Sequence, residues 1–384
     1  MKEKIGVVGL GKLGLPLALV FCKFGYQVSG VEVSLARIEQ IRKNQPFQEP
    51  QVNEYIEKYG GNLTTATDYA VLKDAPLVFK IVQTPSLSSG KFDLKYVKTA
   101  VESIHKVNPE CLITISSTVN IGDLDKLKAI HNRLAYNPEF IRQGSIIHDF
   151  ENPKFTLIGS YTREDGRVVE DVWKKIHNKP VFTVKSIDAE ITKLSLNVSF
   201  TLGIIFANMI GELCEKFGAD SNKVLDIIYK DRRDYKSGLG FMGPCFPRDV
   251  KCFEKICLDN AVESGYKIAE LLNELNEHMV QRYIQKIKSV NKRKVGILGV
   301  AYKPNVPYVY ESQPIKIAEQ LLKDGYEVYI YDRQAEENSK QFLQGNVFFC
   351  SKIEECVEKS DVIFIGTVNY SDIKTNKVLI NPWK

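Results

Sequence analysis

A thiol and a carboxylate stand four residues apart, Cys245 and Asp249, inside the run Ser237-Gly-Leu-Gly240-Phe241-Met-Gly-Pro244-Cys245-Phe-Pro-Arg248-Asp249. Glycines and prolines on both sides make this a backbone-rich loop, which holds one sulfur at a fixed place and delivers an acid beside it. The thiol is a candidate nucleophile: low local dielectric balanced by neighbouring cations would ready it to attack an electrophilic carbon. Asp249 could orient or deprotonate a water, or pair with a lysine. For Cys22, Cys214, Cys252 and Cys257, by contrast, a buried inert thiol is the simpler reading.

Lys193 and Asn197, four apart, share one face of a helix expected over 188–217. Ile191, Leu194, Val198, Leu202, Ile205 and Phe206 leave that helix little polar circumference, so it is expected to be buried on nearly every side, between domains and a second subunit. A lysine and an amide in such surroundings need partners. A structural salt bridge or a snorkelling lysine satisfies this as well as chemistry does. Arg232 and Arg233, in the charged run Asp231–Asp234, are either substrate contacts or a solvated cluster.

The elements that must position these groups begin with a short apolar strand, Ile5-Gly-Val-Val, and the turn Gly9-Leu-Gly11-Lys12-Leu13-Gly14, followed by helical spacing from Leu15 to Phe24. At such a strand-to-helix turn the backbone can approach a pyrophosphate and the helix N-terminus offers N–H groups to it. A second strand ends in Glu32, at the distance expected of a ribose ligand, which favours NAD over NADP; Arg37 keeps NADP open. A glycine-rich structural turn with a surface glutamate is the alternative. Leu77-Val-Phe-Lys-Ile-Val and Cys111-Leu-Ile-Thr-Ile are further strands, with Thr84 and Thr118 just past their ends, where a doubly wound sheet puts ligand contacts and where ordinary helix caps also stand.

The second half repeats the first: Lys294-Val-Gly-Ile-Leu-Gly299 echoes Lys4-Ile-Gly-Val-Val-Gly9, and Lys323-Asp-Gly-Tyr-Glu-Val328 echoes Lys23-Phe-Gly-Tyr-Gln-Val28. Each leads to a strand ending in an acid, Glu32 or Asp332. The repeat lacks the third glycine, so no second dinucleotide is implied. The expected fold is α/β, with two Rossmann-like doubly wound units joined by a central helical domain around the long helix. The expected boundaries are 1–185, 186–290 and 291–384.

In these stretches the chain resembles the nucleotide-sugar 6-dehydrogenases, the UDP-glucose and GDP-mannose dehydrogenase family. The cysteine loop is similar to that family's Gly-Gly-Ser-Cys-Phe-Pro-Lys-Asp, Asn137-Pro-Glu139-Phe140-Ile-Arg-Gln-Gly144 to its Asn-Pro-Glu-Phe-Leu-Arg-Glu-Gly, and Leu298-Gly-Val-Ala-Tyr-Lys303 with Glu311-Ser312 to its Leu-Gly-Phe-Ala-Phe-Lys and Glu-Ser. The resemblance implies four-electron oxidation of a sugar C6 alcohol to the acid, through a thiohemiacetal and thioester on Cys245. It implies NAD held by Gly9, Gly11, Lys12, Leu13, Gly14, Glu32, Thr84 and Thr118. Lys193 and Asn197 would stabilise the alkoxide and oxyanion, with Asp249, Glu139 and Thr118 serving the water. A nucleotide sugar, UDP-glucose as first choice, would meet Glu139, Phe140, Lys193, Asn197, Arg232, Arg233, Gly240, Phe241 and Lys303.

The run Val306-Pro-Tyr308-Val-Tyr310-Glu-Ser departs from the family's Thr-x-Asp-x-Arg-Glu-Ser, so Tyr310 stands where a bidentate arginine clamp is usual. Two other readings stay open. One is a two-electron dehydrogenase of the 6-phosphogluconate or 3-hydroxyacid type, which needs neither Cys245 nor the second α/β unit. The other is a nucleotide-sugar-binding protein without turnover.

Composition fits the enzymatic readings. The 384 residues carry 26% charged and 44% hydrophobic side chains, and a net charge of +5 spread without a dense basic run, which gives no sign of a nucleic-acid or membrane partner. Eight cysteines without CxxC spacing suggest reduced thiols in the cytoplasm, and no metal site is expected. The apolar central helix points to a homodimer or larger homo-oligomer.

Overall fold

A computed structural model describes residues 3–230 and 237–384, without the side chains of Met209, Glu212 and Leu213. The chain divides into two compact units, 1–194 and 195–384.

The first unit is built on eight strands: β1 (Lys4–Val8), β2 (Gln27–Val31), β3 (Leu63–Ala66), β4 (Leu77–Lys80), β5 (Leu112–Ile115), β6 (Leu134–Tyr136), β7 (Thr156–Ser160) and β8 (Val181–Lys185). They lie in the order β3-β2-β1-β4-β5-β6-β7-β8, and only the β6–β7 pair is antiparallel. β4 and β5 are buried along their whole length, as strands covered on both faces must be. Helix α1 (Gly14–Lys23) buries Gly14 through Cys22 against one face, where Phe21, Phe79 and Trp173 meet in the core.

The second unit repeats the plan with β9 (Lys294–Leu298), β10 (Glu327–Tyr331), β11 (Val347–Phe349), β12 (Val362–Ile365) and β13 (Val378–Ile380), ordered β11-β10-β9-β12-β13 and all parallel. This is the order β3-β2-β1-β4-β5 over again. Matching bonds confirm the repeat: Gly9 N donates to Val31 O and Gly299 N to Tyr331 O, each at 2.8 Å. In place of the tight glycine turn, the longer loop 300–312 leads to a helix that starts at Gln313.

Helix α2 (Ser186–Phe217) runs on from the first unit into the second. Glu190 fixes its start, accepting from Gly122 N at 2.7 Å and Leu124 N at 2.9 Å. Its segment Ser186–Asn208, with a mean hydropathy of 1.2, is long and apolar enough by composition to cross a bilayer. The helix is not buried on nearly every side within the chain, however: Ile191, Leu202 and Phe206 are 44%, 43% and 42% exposed. Hydrophobicity on every face marks what a helix can bury, while a single chain supplies neighbours for only part of it. Further on, α3 (Phe246–Asp259) packs on α4 (Glu263–Ser289), and Val198, Ile205, Phe241, Val250, Ala269 and Leu272 form a small core there.

Candidate active site

Three glycines shape the crevice at the carboxyl ends of β1, β2 and β4. A Cβ on Gly9 (φ +93°) would fall 2.6 Å from Ile81 O, and one on Gly14 1.7 Å from Gly9 O, so both positions are closed by the protein's own backbone. A Cβ on Gly11 would meet nothing within 4 Å, which leaves the main chain there open to a ligand. α1 begins three residues later and turns its positive end toward that opening.

Glu32 accepts from Leu10 N and Ser34 N, each at 3.0 Å, which holds its carboxylate at the end of β2. Arg37 is engaged elsewhere: its Nε donates to Leu10 O at 3.1 Å and its guanidinium lies over the Phe47 ring. Lys12 Nζ donates to Gln143 at 2.9 Å, and Leu13 packs against the core. Thr84 and Thr118 follow the neighbouring strands β4 and β5, so both lie along the same sheet edge; Thr84 is buried and Thr118 half-buried. The open glycine, the anchored acid and the helix N-terminus fit a dinucleotide pyrophosphate and ribose.

Glu139 follows β6. Asn137 locks that turn, donating to Leu157 O at 3.0 Å and accepting from Trp173 Nε1 at 2.7 Å. Although the residue as a whole is half-buried, its Oε1 is shut off from water with no hydrogen-bond partner among the described residues. Burial pushes the carboxyl up from 4.5 to about 8, against the opposing pull of the Lys193 charge. Lys193 is itself 8% exposed; its Nζ donates to the Glu139 carbonyl at 2.6 Å and sits 4.6 Å from the centre of the Phe140 ring.

In the second unit, Cys245 caps the start of α3, with Pro247 in the first turn, where proline's missing N–H costs nothing. Seven of the eight cysteines are buried and Cys245 is exposed. Asp249, one turn on, is wholly buried; its N–H donates to Cys245 O at 2.8 Å, and its carboxylate accepts from Asn197 Nδ2 at 2.5 Å and Arg248 Nε at 3.1 Å.

The loop before the cysteine is clamped as well. Gln313 Oε1 accepts from Gly240 N at 2.8 Å, Asn276 donates to Phe241 O, and a Cβ on Gly240 would fall 2.0 Å from Asn276 Oδ1. The Phe241 ring is buried in the core. Gly243 N donates to Tyr310 O at 3.0 Å, tying the loop to the segment where Tyr308 and Tyr310 stack. Lys303 lines a cavity of about 280 Å³ with Asp332, Arg333, Asn369 and Tyr370, at the carboxyl ends of the second sheet. Arg232 and Arg233 lie outside the described residues.

Residues 3–177 match the NAD binding domain of the UDP-glucose/GDP-mannose dehydrogenase family, 187–278 its central domain and 296–378 its UDP binding domain. The UDP-glucose 6-dehydrogenase TuaD of Bacillus subtilis (strain 168) is 31% identical over 390 residues, which span 95% of this chain and 83% of that protein. The chain belongs to the UDP-glucose/GDP-mannose dehydrogenase family. The GDP-mannose 6-dehydrogenase of Pseudomonas aeruginosa is also similar, at 28% identity over 94% of this chain and 91% of its own. So is the structure of a UDP-glucose dehydrogenase from the hyperthermophilic archaeon Pyrobaculum islandicum, with a TM-score of 0.91 and 27% identity over 100% of this chain and 95% of that one.

As a family member the chain is an NAD-dependent nucleotide-sugar dehydrogenase, and the apolar stretch 186–208 opens its central domain. Two features of this dehydrogenase escape sequence reasoning. Gln313 carries no signal beyond its place at a helix start. Lys80, wholly buried at the end of β4, does leave one: a lysine interrupting the apolar run Leu77-Val-Phe-Lys-Ile-Val.

Proposed function

We propose that this dehydrogenase oxidises the C6 alcohol of a nucleotide sugar, UDP-glucose as first choice, to the carboxylate in two steps through a covalent intermediate on Cys245. The observation that carries this reading is the exposed sulfur at a helix N-terminus with a buried, doubly bonded carboxylate one turn below it. An ordinary two-electron alcohol dehydrogenase has no use for that pair.

NAD, held by Gly9 to Gly14, Glu32, Thr84 and Thr118, supplies the acceptor for one hydride in each oxidation. The chain's residues do the rest. Lys193 and Asn197 steady the C6 oxygen as the alcohol loses its proton and hydride to become an aldehyde. The Cys245 thiolate adds to that carbon, and the resulting thiohemiacetal loses a second hydride to give a thioester. Water, oriented by Asp249 with Thr118 nearby, then attacks the thioester carbon; the Glu139 carboxylate takes up its proton, the C–S bond breaks and the Cys245 thiolate leaves. Lys303, with Phe140 and the main chain at Gly240 and Phe241, holds the nucleotide sugar.

Counting NADH formed per nucleotide sugar consumed, across UDP- and GDP-hexoses, tests the scheme. Two NADH per sugar, with Cys245→Ser stalled before acid release, is the expected result. One NADH per sugar, indifferent to Cys245, would replace the thioester route with simple alcohol oxidation.

The reading includes a homodimer and a reducing, cytoplasmic setting for the eight cysteines. Leu202 and Phe206, one turn apart on α2, are the apolar side chains a second copy would cover. Sedimentation of Leu202→Asp as a monomer beside a dimeric wild type is the expected outcome.

A further inference from the structure

Lys80 ends β4 in the middle of the first sheet, between Val8 of β1 and Ile115 of β5, with no exposed surface. Its Nζ donates to Ser117 Oγ at 2.9 Å, and Ser117 Oγ donates in turn to Val82 O at 2.5 Å. Burial alone shifts its ionisation, well below the usual lysine range, so the amine is held by one hydroxyl rather than by an acid. A lysine in such a place is costly, and a valine or isoleucine would fill a strand interior without that cost.

What an apolar side chain could not do is bridge the two strand ends. Val82 lies just past β4 and Ser117 just past β5. Thr84 comes two residues after the first and Thr118 directly after the second. The same β4 end packs on the glycine turn: a Cβ on Gly9 would fall 2.6 Å from Ile81 O and 3.1 Å from Val82 Cγ1. A shift of the Val82 carbonyl therefore reaches the glycine turn and both threonine stations together.

We infer that Lys80 is a positioning residue for the NAD site: through Ser117 it fixes the ends of β4 and β5 against the glycine turn that receives the dinucleotide. The inference rests on NAD as the cofactor and not on which sugar is oxidised.

NADH binding followed by fluorescence on the full chain tests it, with Lys80→Met, Ser117→Ala, the double variant and Ser117→Thr. Loss of one buried hydrogen bond is expected to weaken NADH binding about five- to tenfold in each of the first two. The double variant falls no further, because the bond is shared, and Ser117→Thr keeps wild-type affinity. The KM for nucleotide sugar and the kcat at saturating NAD stay within about twofold, while Lys80→Met melts no lower than wild type, having lost a buried amine. Stability and cofactor affinity thus part company, which a merely structural role would not produce. Unchanged NADH affinity in Lys80→Met and Ser117→Ala overturns the inference, as does a joint loss of NADH affinity, sugar affinity and melting temperature. If Lys80→Met does not fold, Ser117→Ala decides by the same criteria. A wild type that binds NADH but turns over no nucleotide sugar counts against the substrate reading alone.

Discussion

Asn197 Nδ2 donates to Asp249 Oδ2 at 2.5 Å, so an amide on the long helix holds the carboxylate that sits one turn below the exposed thiol. Asp249 is wholly buried, and its other oxygen accepts from Arg248. Removing the amide leaves a buried acceptor short of a partner. Asn197→Ala should cost about 1–3 kcal/mol of unfolding free energy in urea titrations. If Asn197 also meets the developing oxyanion, the same variant loses about 10²–10³ in kcat, far more than the stability change explains. A variant that is less stable yet fully active would make the amide a structural strut only.

The contrast between one exposed and seven buried thiols predicts selective chemistry. Brief treatment of the native protein with iodoacetamide should alkylate Cys245 and leave the rest for the denatured state, as peptide mass spectrometry would show. Activity should fall in step with that single label. Label appearing first on Cys214 or Cys252 would mean that the loop hides its sulfur.

Much of this was legible in the residues because local pattern and tertiary role coincide there. Gly9, Gly11 and Gly14 announce a turn, and the echo of Lys4–Gly9 in Lys294–Gly299 announces a second sheet with the same strand order. Glu139 was marked by the resemblance of its motif, Asn137-Pro-Glu139-Phe140. The Asn197–Asp249 bond was not readable: 52 residues separate the partners, and nothing local says where either side chain ends. The exposed faces of Leu202 and Phe206 were hidden for the opposite reason, since a helix without a polar side gives no sign of which side lacks a neighbour.

Gly11 and Gly14 should respond differently to the same substitution. Alanine is intrinsically better than glycine in a helix by ~1 kcal/mol, yet at Gly14 its Cβ would sit 1.7 Å from Gly9 O. The clash should win, lowering the melting temperature of Gly14→Ala by several degrees. At Gly11 a Cβ meets nothing of the protein, so Gly11→Ala should melt within about 2 °C of wild type while the KM for NAD rises about tenfold or more. Equal effects on stability at both positions would show that the opening at Gly11 is not a ligand approach.

Glu139 sets stability and activity against each other. With its carboxyl pushed up to about 8 from an ordinary 4.5, the folded chain keeps a proton that the unfolded chain has released throughout that window. The folded state therefore binds more protons there, and stability falls as pH rises from about 4.5 through 8, by at most ~1.4 kcal/mol per pH unit. The carboxylate form is the one that can take a proton from water, so acid release should quicken as pH rises through about 8. Glu139→Gln removes both trends: its melting temperature should fall less between pH 5 and 8 than that of wild type, and its residual rate should lose the rise near 8. Thermal melts and single-turnover rates across that range measure the two together. Wild-type stability that stays flat over the window would place the Glu139 ionisation near its ordinary value and move the proton-accepting role to Asp249.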